Sequence, residues 1–76
     1  MTEKEREFCS VMFDEMSGSF INALYKTIMR ADVENLVKFT IAFPEEVSIY
    51  LQYCNEPSYW YELKQEYERQ RLLLED

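Results

Sequence analysis

The sequence predicts an all-α protein, a compact bundle of four to five short helices in a single helical domain spanning residues 1–76. Three observations carry that expectation. Apolar residues recur at three- and four-residue spacing along most of the chain, which is helical periodicity. The periodic segments are separated by short punctuation at Ser17-Gly18-Ser19, Asp32, Phe43-Pro44 and Asn55-Glu56-Pro57-Ser58. No segment carries a convincing strand pattern. Residues 47–53 hold β-branched and tyrosine side chains, but the Pro-Glu-Glu run before them argues for helix.

Thr2-Glu3-Lys4-Glu5 has the form of a capping box, a hydroxyl followed three residues later by Glu. Phe8, Val11, Met12 and Met16 then follow at helical spacing, so the first helix is expected over residues 3–16. Gly18, the single glycine, suits a left-handed stop. The second helix starts near Ser19, with Phe20, Ala23, Leu24 and Ile28 along one side. Asp32 reads as the next N-cap, leaving open whether the helix breaks or only bends there. The third helix carries Val33, Leu36, Val37, Thr40 and Ile41, with Phe39 and Phe43 on an adjoining strip. Pro44 restarts the chain, because proline disfavours helix at the residue before it and fits a first turn. The fourth helix, 44–54, is apolar on two sides, with Val47, Tyr50, Leu51 and Cys54 on one and Ile49 and Tyr53 on the other. The fifth runs from Pro57 or Ser58 to Leu74, with Trp60, Leu63, Tyr67, Arg71 and Leu74 as its stripe. The expected core is Phe8, Met12, Leu24, Ile28, Leu36, Phe43, Val47, Leu51, Trp60 and Leu63.

Composition narrows the function. The chain has 76 residues, and a domain that small buries roughly 60% of its unfolded surface. It is 47% apolar with one Trp, six Tyr and five Phe, too rich for a disordered tail. It has no His, which removes the commonest general base and the commonest metal ligand together. Cys9 and Cys54 form no metal-binding spacing and read as small buried hydrophobes in a reducing compartment. No serine or cysteine has a base to activate it, and no glycine-rich loop exists to cradle a phosphate. The chain is therefore not expected to be an enzyme, and no cofactor or metal is expected. The N-terminus is charged and mixed in sign, unlike a signal peptide, and no apolar run approaches a membrane span. A soluble, cytoplasmic protein is the expectation.

Charge is uneven. The net charge of −7 argues against direct nucleic acid binding. Residues 39–63 hold Glu45, Glu46, Glu56 and Glu62 with no Lys or Arg, together with Tyr50, Tyr53, Tyr59, Trp60 and Tyr61. Adjacent helical residues diverge by about 100°, so Glu45 and Glu46 read first as partners of the helix dipole rather than as an acid–base pair. For the same reason Tyr59-Trp60-Tyr61 cannot send all three rings into one core. Tyrosine and tryptophan suit interfaces because they bury much area and lose few rotors.

The stretch Phe20 to Trp60 resembles a type of small protein encoded by phages and mobile elements. The frame is Leu24-Tyr25, Ala31-Asp32, Asn35-Leu36, Phe43-Pro44-Glu45-Glu46-Val47, Tyr53 and Tyr59-Trp60, about half of the chain. The resemblance implies a mobile-element origin and the host cell cytoplasm. Small acidic proteins of such elements include inhibitors of host defence, anti-CRISPR proteins among them, and size and acidity are what this chain shares with those.

Two functions from different classes follow. One is a stoichiometric inhibitor whose carboxylates imitate a phosphate backbone, acting as a DNA mimic on a basic, nucleic-acid-binding host protein such as a defence nuclease. Its expected contact residues are Glu45, Glu46, Tyr53, Glu56, Tyr59, Tyr61 and Glu62. The alternative is a structural or regulatory helical module that self-associates, in the simplest case as a homodimer, through the second face of the fourth helix and through Leu72-Leu73-Leu74.

Overall fold

Five helices follow one another: α1 (Glu3–Phe13), α2 (Ser19–Arg30), α3 (Val33–Ala42), α4 (Pro44–Asn55) and α5 (Pro57–Leu74). This computed structural model describes residues 1–13 and 18–74, with the backbone only at 74, and shows no strand among them.

The joints explain themselves chemically. α1 opens on the expected capping box: the Glu5 N–H donates to Thr2 Oγ1 at 3.1 Å, and the Thr2 N–H donates to Glu5 Oε1 at 2.8 Å. Asp32 Oδ1 accepts the Asn35 N–H at 2.9 Å, and Ala31 before it is extended, at φ −70° and ψ 137°. The chain therefore breaks between α2 and α3 rather than bending. Phe43 and Glu56 are one-residue joints, each held off helical geometry by the proline that follows. The Phe43 N–H closes α3 on the Phe39 carbonyl, and its own carbonyl accepts from Val47 to open α4. Glu56 repeats the device between Gln52 and Tyr59.

Gly18 departs from expectation. Its φ of −52° and ψ of 148° are open to any residue, and it serves as the N-cap of α2, so the left-handed stop is not at this position. α1 is described as far as Phe13; the expected last turn with Met16, and Ser17, lie outside the described residues.

The bundle measures 44 × 28 × 17 Å, a slab rather than a ball. Its apolar interior is divided. The first cluster contains Phe8, Cys9, Val11, Tyr25, Ile49 and Leu63, with Trp60, Tyr53, Phe13 and Tyr67 packed against it. Phe8 is its hub, with ring centroids 5.1 Å from Tyr25, 5.5 Å from Tyr53 and 5.6 Å from Trp60, all edge-to-face. That geometry lets the positive edge of one ring meet the negative face of the next. Phe13 stacks on Trp60 at 5.4 Å and on Tyr67 at 5.7 Å. The second cluster contains Leu24, Ile28 and Val47, with Leu36, Phe39, Phe43 and Tyr50 against it.

α2 and α4 contribute to both clusters. α2 gives Ile21, Tyr25 and Met29 to the first and Leu24 and Ile28 to the second. α4 gives Ile49 and Tyr53 to the first and Val47 and Tyr50 to the second. These two helices form a middle layer, with α1 and α5 closing the first cluster and α3 the second.

This layering corrects several expectations. The second apolar face of α4, Ile49 and Tyr53, is not left over for a partner, because it serves the first cluster. Leu51, expected in the core, falls outside both and is 39% exposed. Met12, Leu36, Phe43 and Trp60 are half-buried rather than central, while Cys9, Val11, Tyr25 and Ile49 are buried in their stead. α2 keeps Leu24 and Ile28 inward as expected but buries Tyr25 as well, with Ile21 and Met29 half-buried beside it, while Ala23 is exposed and Phe20 is 64% exposed. α3 is rotated from the expected face. Leu36, Phe39 and Phe43 face the second cluster, and Val33, Val37 and Ile41 face out. Of the two cysteines only Cys9 is buried, where desolvation pushes its thiol up to about 12; Cys54 is exposed in the last turn of α4.

Candidate protein-binding surface

The first turn of α1, the first turns of α4 and the middle of α5 meet at one edge of the slab. Tyr59 is the link. It lies in the first turn of α5, one residue before the inward-facing Trp60, and its hydroxyl donates to Glu5 Oε2 at 2.8 Å. Glu5 thus spends one carboxylate oxygen on its own helix cap and the other on α5.

Two shallow grooves flank this contact. One, about 400 Å³, is lined by Thr2, Lys4, Glu5, Pro44, Glu45, Ser48, Ile49, Gln52 and Tyr59. The other, about 340 Å³, is lined by Met1, Glu5, Tyr59, Glu62, Leu63, Glu66 and Arg69. Their carboxylates are Glu5, Glu45, Glu62 and Glu66. The basic side chains beside them are engaged: Lys4 Nζ binds Glu46 Oε2 at 2.8 Å, and Arg69 binds Glu66 at 2.9 Å.

Of the residues expected at a contact surface, Glu45, Tyr59 and Glu62 are brought together here. Glu56 and Tyr61 are exposed but line neither groove, Tyr61 at 62%. Glu46 is only 4% exposed and is committed to Lys4, so it presents no free carboxylate. That ion pair holds α1 against α4, and the hydrogen bond and charge of Glu46 raise the pKa of Lys4. Tyr53 is half-buried in the first cluster, 4.9 Å from Trp60. Sequence reading missed Glu5 and Glu66. Glu66 was accessible to it, one helical turn after Glu62 on the same face. Glu5 was assigned to the cap alone, which accounts for only one of its oxygens.

The electrostatics favour the charged form of Glu5. Burial opposes the charge on Glu5, but the Thr2 N–H and the hydroxyls of Tyr59 and Thr2 outweigh it and hold the carboxyl below its usual range. Burial, then the neighbouring Glu5, pushes the Tyr59 phenol well above its ordinary value, so it remains a donor. A carboxyl lowered on folding stabilises the native state above its unfolded pKa and loses that contribution as pH falls through the folded one. Tyr59→Phe is therefore expected to lower the thermal midpoint at neutral pH. The gap to the parent should narrow as acid titrates Glu5. Thermal scans across the acid limb check this; a gap independent of pH would show that the loss does not pass through Glu5.

Among the described residues no group of His, Cys, Asp and Glu is placed to hold a metal ion, and no helix is long and apolar enough to cross a membrane. Taken together the described chain is a small five-helix protein with a tyrosine-containing aromatic cluster opening onto an acidic edge. No family model, no curated protein and no solved structure matches it.

Proposed function

We propose that this chain is a non-enzymatic protein-binding module. It docks the acidic edge around Glu5 and Tyr59 on a basic surface of another protein, most plainly the nucleic-acid groove of a host protein such as a defence nuclease. The observation that carries this reading is the pair of grooves that share Glu5 and Tyr59. They gather four carboxylates, of which Glu66 is paired with Arg69, while the other basic side chain lining them, Lys4, is bound to Glu46. Such an edge attracts a surface built for phosphates and repels nucleic acid itself. Tyr61 adds exposed aromatic area beside Glu62. A phage or mobile-element origin, an inhibitory role and action in the host cytoplasm belong to the same reading and rest on the resemblance of the Phe20–Trp60 frame.

The reading has a direct test. Bait protein is used to capture partners from host lysate, with and without added duplex DNA. Captured protein should be displaced by the DNA and should be lost with the double variant Glu45→Gln, Glu62→Gln. With the purified partner, that variant should slow association mainly at low salt, and Tyr61→Ala should raise the off-rate at any salt. Capture indifferent to both DNA and the charge-neutralised variant would overturn the phosphate-mimic reading.

A further inference from the structure

α3 pairs an apolar outer face with a weak inner one. Val33 is 80% exposed, Val37 56% and Ile41 80%. They stand at four-residue intervals and so form a single ridge along the helix. None of the residues of α3 is fully buried, and its inward side chains are half-buried at best. β-Branched residues are also poor helix formers, because the preceding turn restricts their rotamers. An isolated ten-residue helix is marginal in water even with ideal composition. In the single chain the ridge thus breaks two local preferences and recovers only the partial burial of Val37. Such a largely unrepaid violation in an otherwise consistent sequence marks a surface with a use.

We propose that the ridge is covered by α3 of a second copy, packed antiparallel about a two-fold axis at Val37. Two features of this chain select that occupant. The first is the symmetry of the ridge. Val33 and Ile41 lie four residues to either side of Val37, roughly 6 Å along the axis at 1.5 Å per residue. A two-fold at Val37 therefore sets Val33 against Ile41 of the second copy, twice, and Val37 against itself. Thr40, bordering the ridge, donates its hydroxyl to the Leu36 carbonyl at 2.8 Å and makes no demand on a partner.

The second feature is charge. Two chains of net charge −7 repel. Residues 19–42 hold Lys26, Arg30 and Lys38 against Asp32 and Glu34, one net positive charge, so the other residues carry eight net negative ones. α3 is where two copies meet without opposing their acidic regions: beside the ridge Asp32 and Glu34 stand against Lys38, one net negative charge per copy, with Lys26 and Arg30 on the preceding helix. Three side chains fall short of the roughly 800 Å² per partner of a standard interface, so the dimer is weak and concentration-dependent. The acidic edge lies on α1, α4 and α5, so this proposal stands apart from the docking reading above.

The test is sedimentation equilibrium from about 10 μM to about 1 mM, the range in which a small interface dissociates. A reversible dimer that tightens with added salt is expected, because screening relieves the like-charge repulsion. Val37→Glu, at an exposed position and with a better helix former, should keep the circular dichroism and weaken the dimer at least about tenfold. On a Cys54→Ser background, Val37→Cys should cross-link to itself on mild oxidation. Val33→Cys should cross-link only when mixed with Ile41→Cys. A monomer at every concentration and salt, or a dimer unchanged by Val37→Glu, overturns the proposal. So does association that weakens with salt, which would mean acidic edge against basic α2–α3, or self-linking by Val33→Cys, which would mean parallel helices.

Discussion

Phe8→Ala is expected to lower stability by about 3–5 kcal/mol, as for other aromatic truncations in well-packed cores. Phe8 is fully buried and holds three other rings edge-to-face, one each from α2, α4 and α5. Its removal opens a cavity that rigid neighbours cannot fill by changing rotamer. A 76-residue domain has a total stability of roughly 4–11 kcal/mol, so the variant should be at or near the edge of folding. Each kcal/mol lowers the midpoint of a domain this size by about 4–8 °C. Leu51→Ala is the control. By periodicity alone Leu51 belongs in the core, yet at 39% exposure it should lose less than half as much. Urea unfolding of the two variants decides the matter; equal losses would mean that Leu51 is packed inside.

Ile28→Ala is expected to lower stability by about 2–5 kcal/mol through the second cluster. Ile28 is fully buried with Leu24 and Val47, and this is the only cluster in which α3 takes part. The milder pair Phe8→Leu and Ile28→Val tests the division of the interior. Their effects should add within about 0.5 kcal/mol, because sites without shared partners are independent. Ile28→Val combined with Val47→Ala should deviate from additivity, since those side chains share a cluster. Strong coupling between Phe8 and Ile28 would show one continuous core.

The helix ends were legible because short-range chemistry sets them. Thr2 with Glu5, Asp32, Pro44 and Pro57 each act on backbone within three residues, so their effects can be read without knowing the fold. Helix rotation was legible only in part. On α3 both candidate strips are apolar, and what decides between them is that Leu36, Phe39 and Phe43 reach residues of α2 and α4. On α2 the inward Leu24 and Ile28 were readable, but not that Tyr25 finds Phe8 while Phe20 is left outside. The candidate surface divides in the same way. The acidic, tyrosine-rich character of residues 45–62 was readable, but which carboxylates remain available was not. Lys4 consumes Glu46 from 42 residues away, and Tyr59 claims Glu5 from 54. Partners that distant leave no periodic trace.

The middle layer has a consequence for how this sequence can vary. A helix with one inward face is free to drift on the other, and most surface helices change that way. α2 and α4 answer to two different sets of neighbours at once, so a substitution on either inward face must suit its own cluster without shifting the helix against the other. Neutral change should therefore collect at exposed positions outside the acidic edge and the α3 ridge, such as Ala23 on α2 and Gln65 on α5. α2 and α4 should remain the slowest-changing record of the fold.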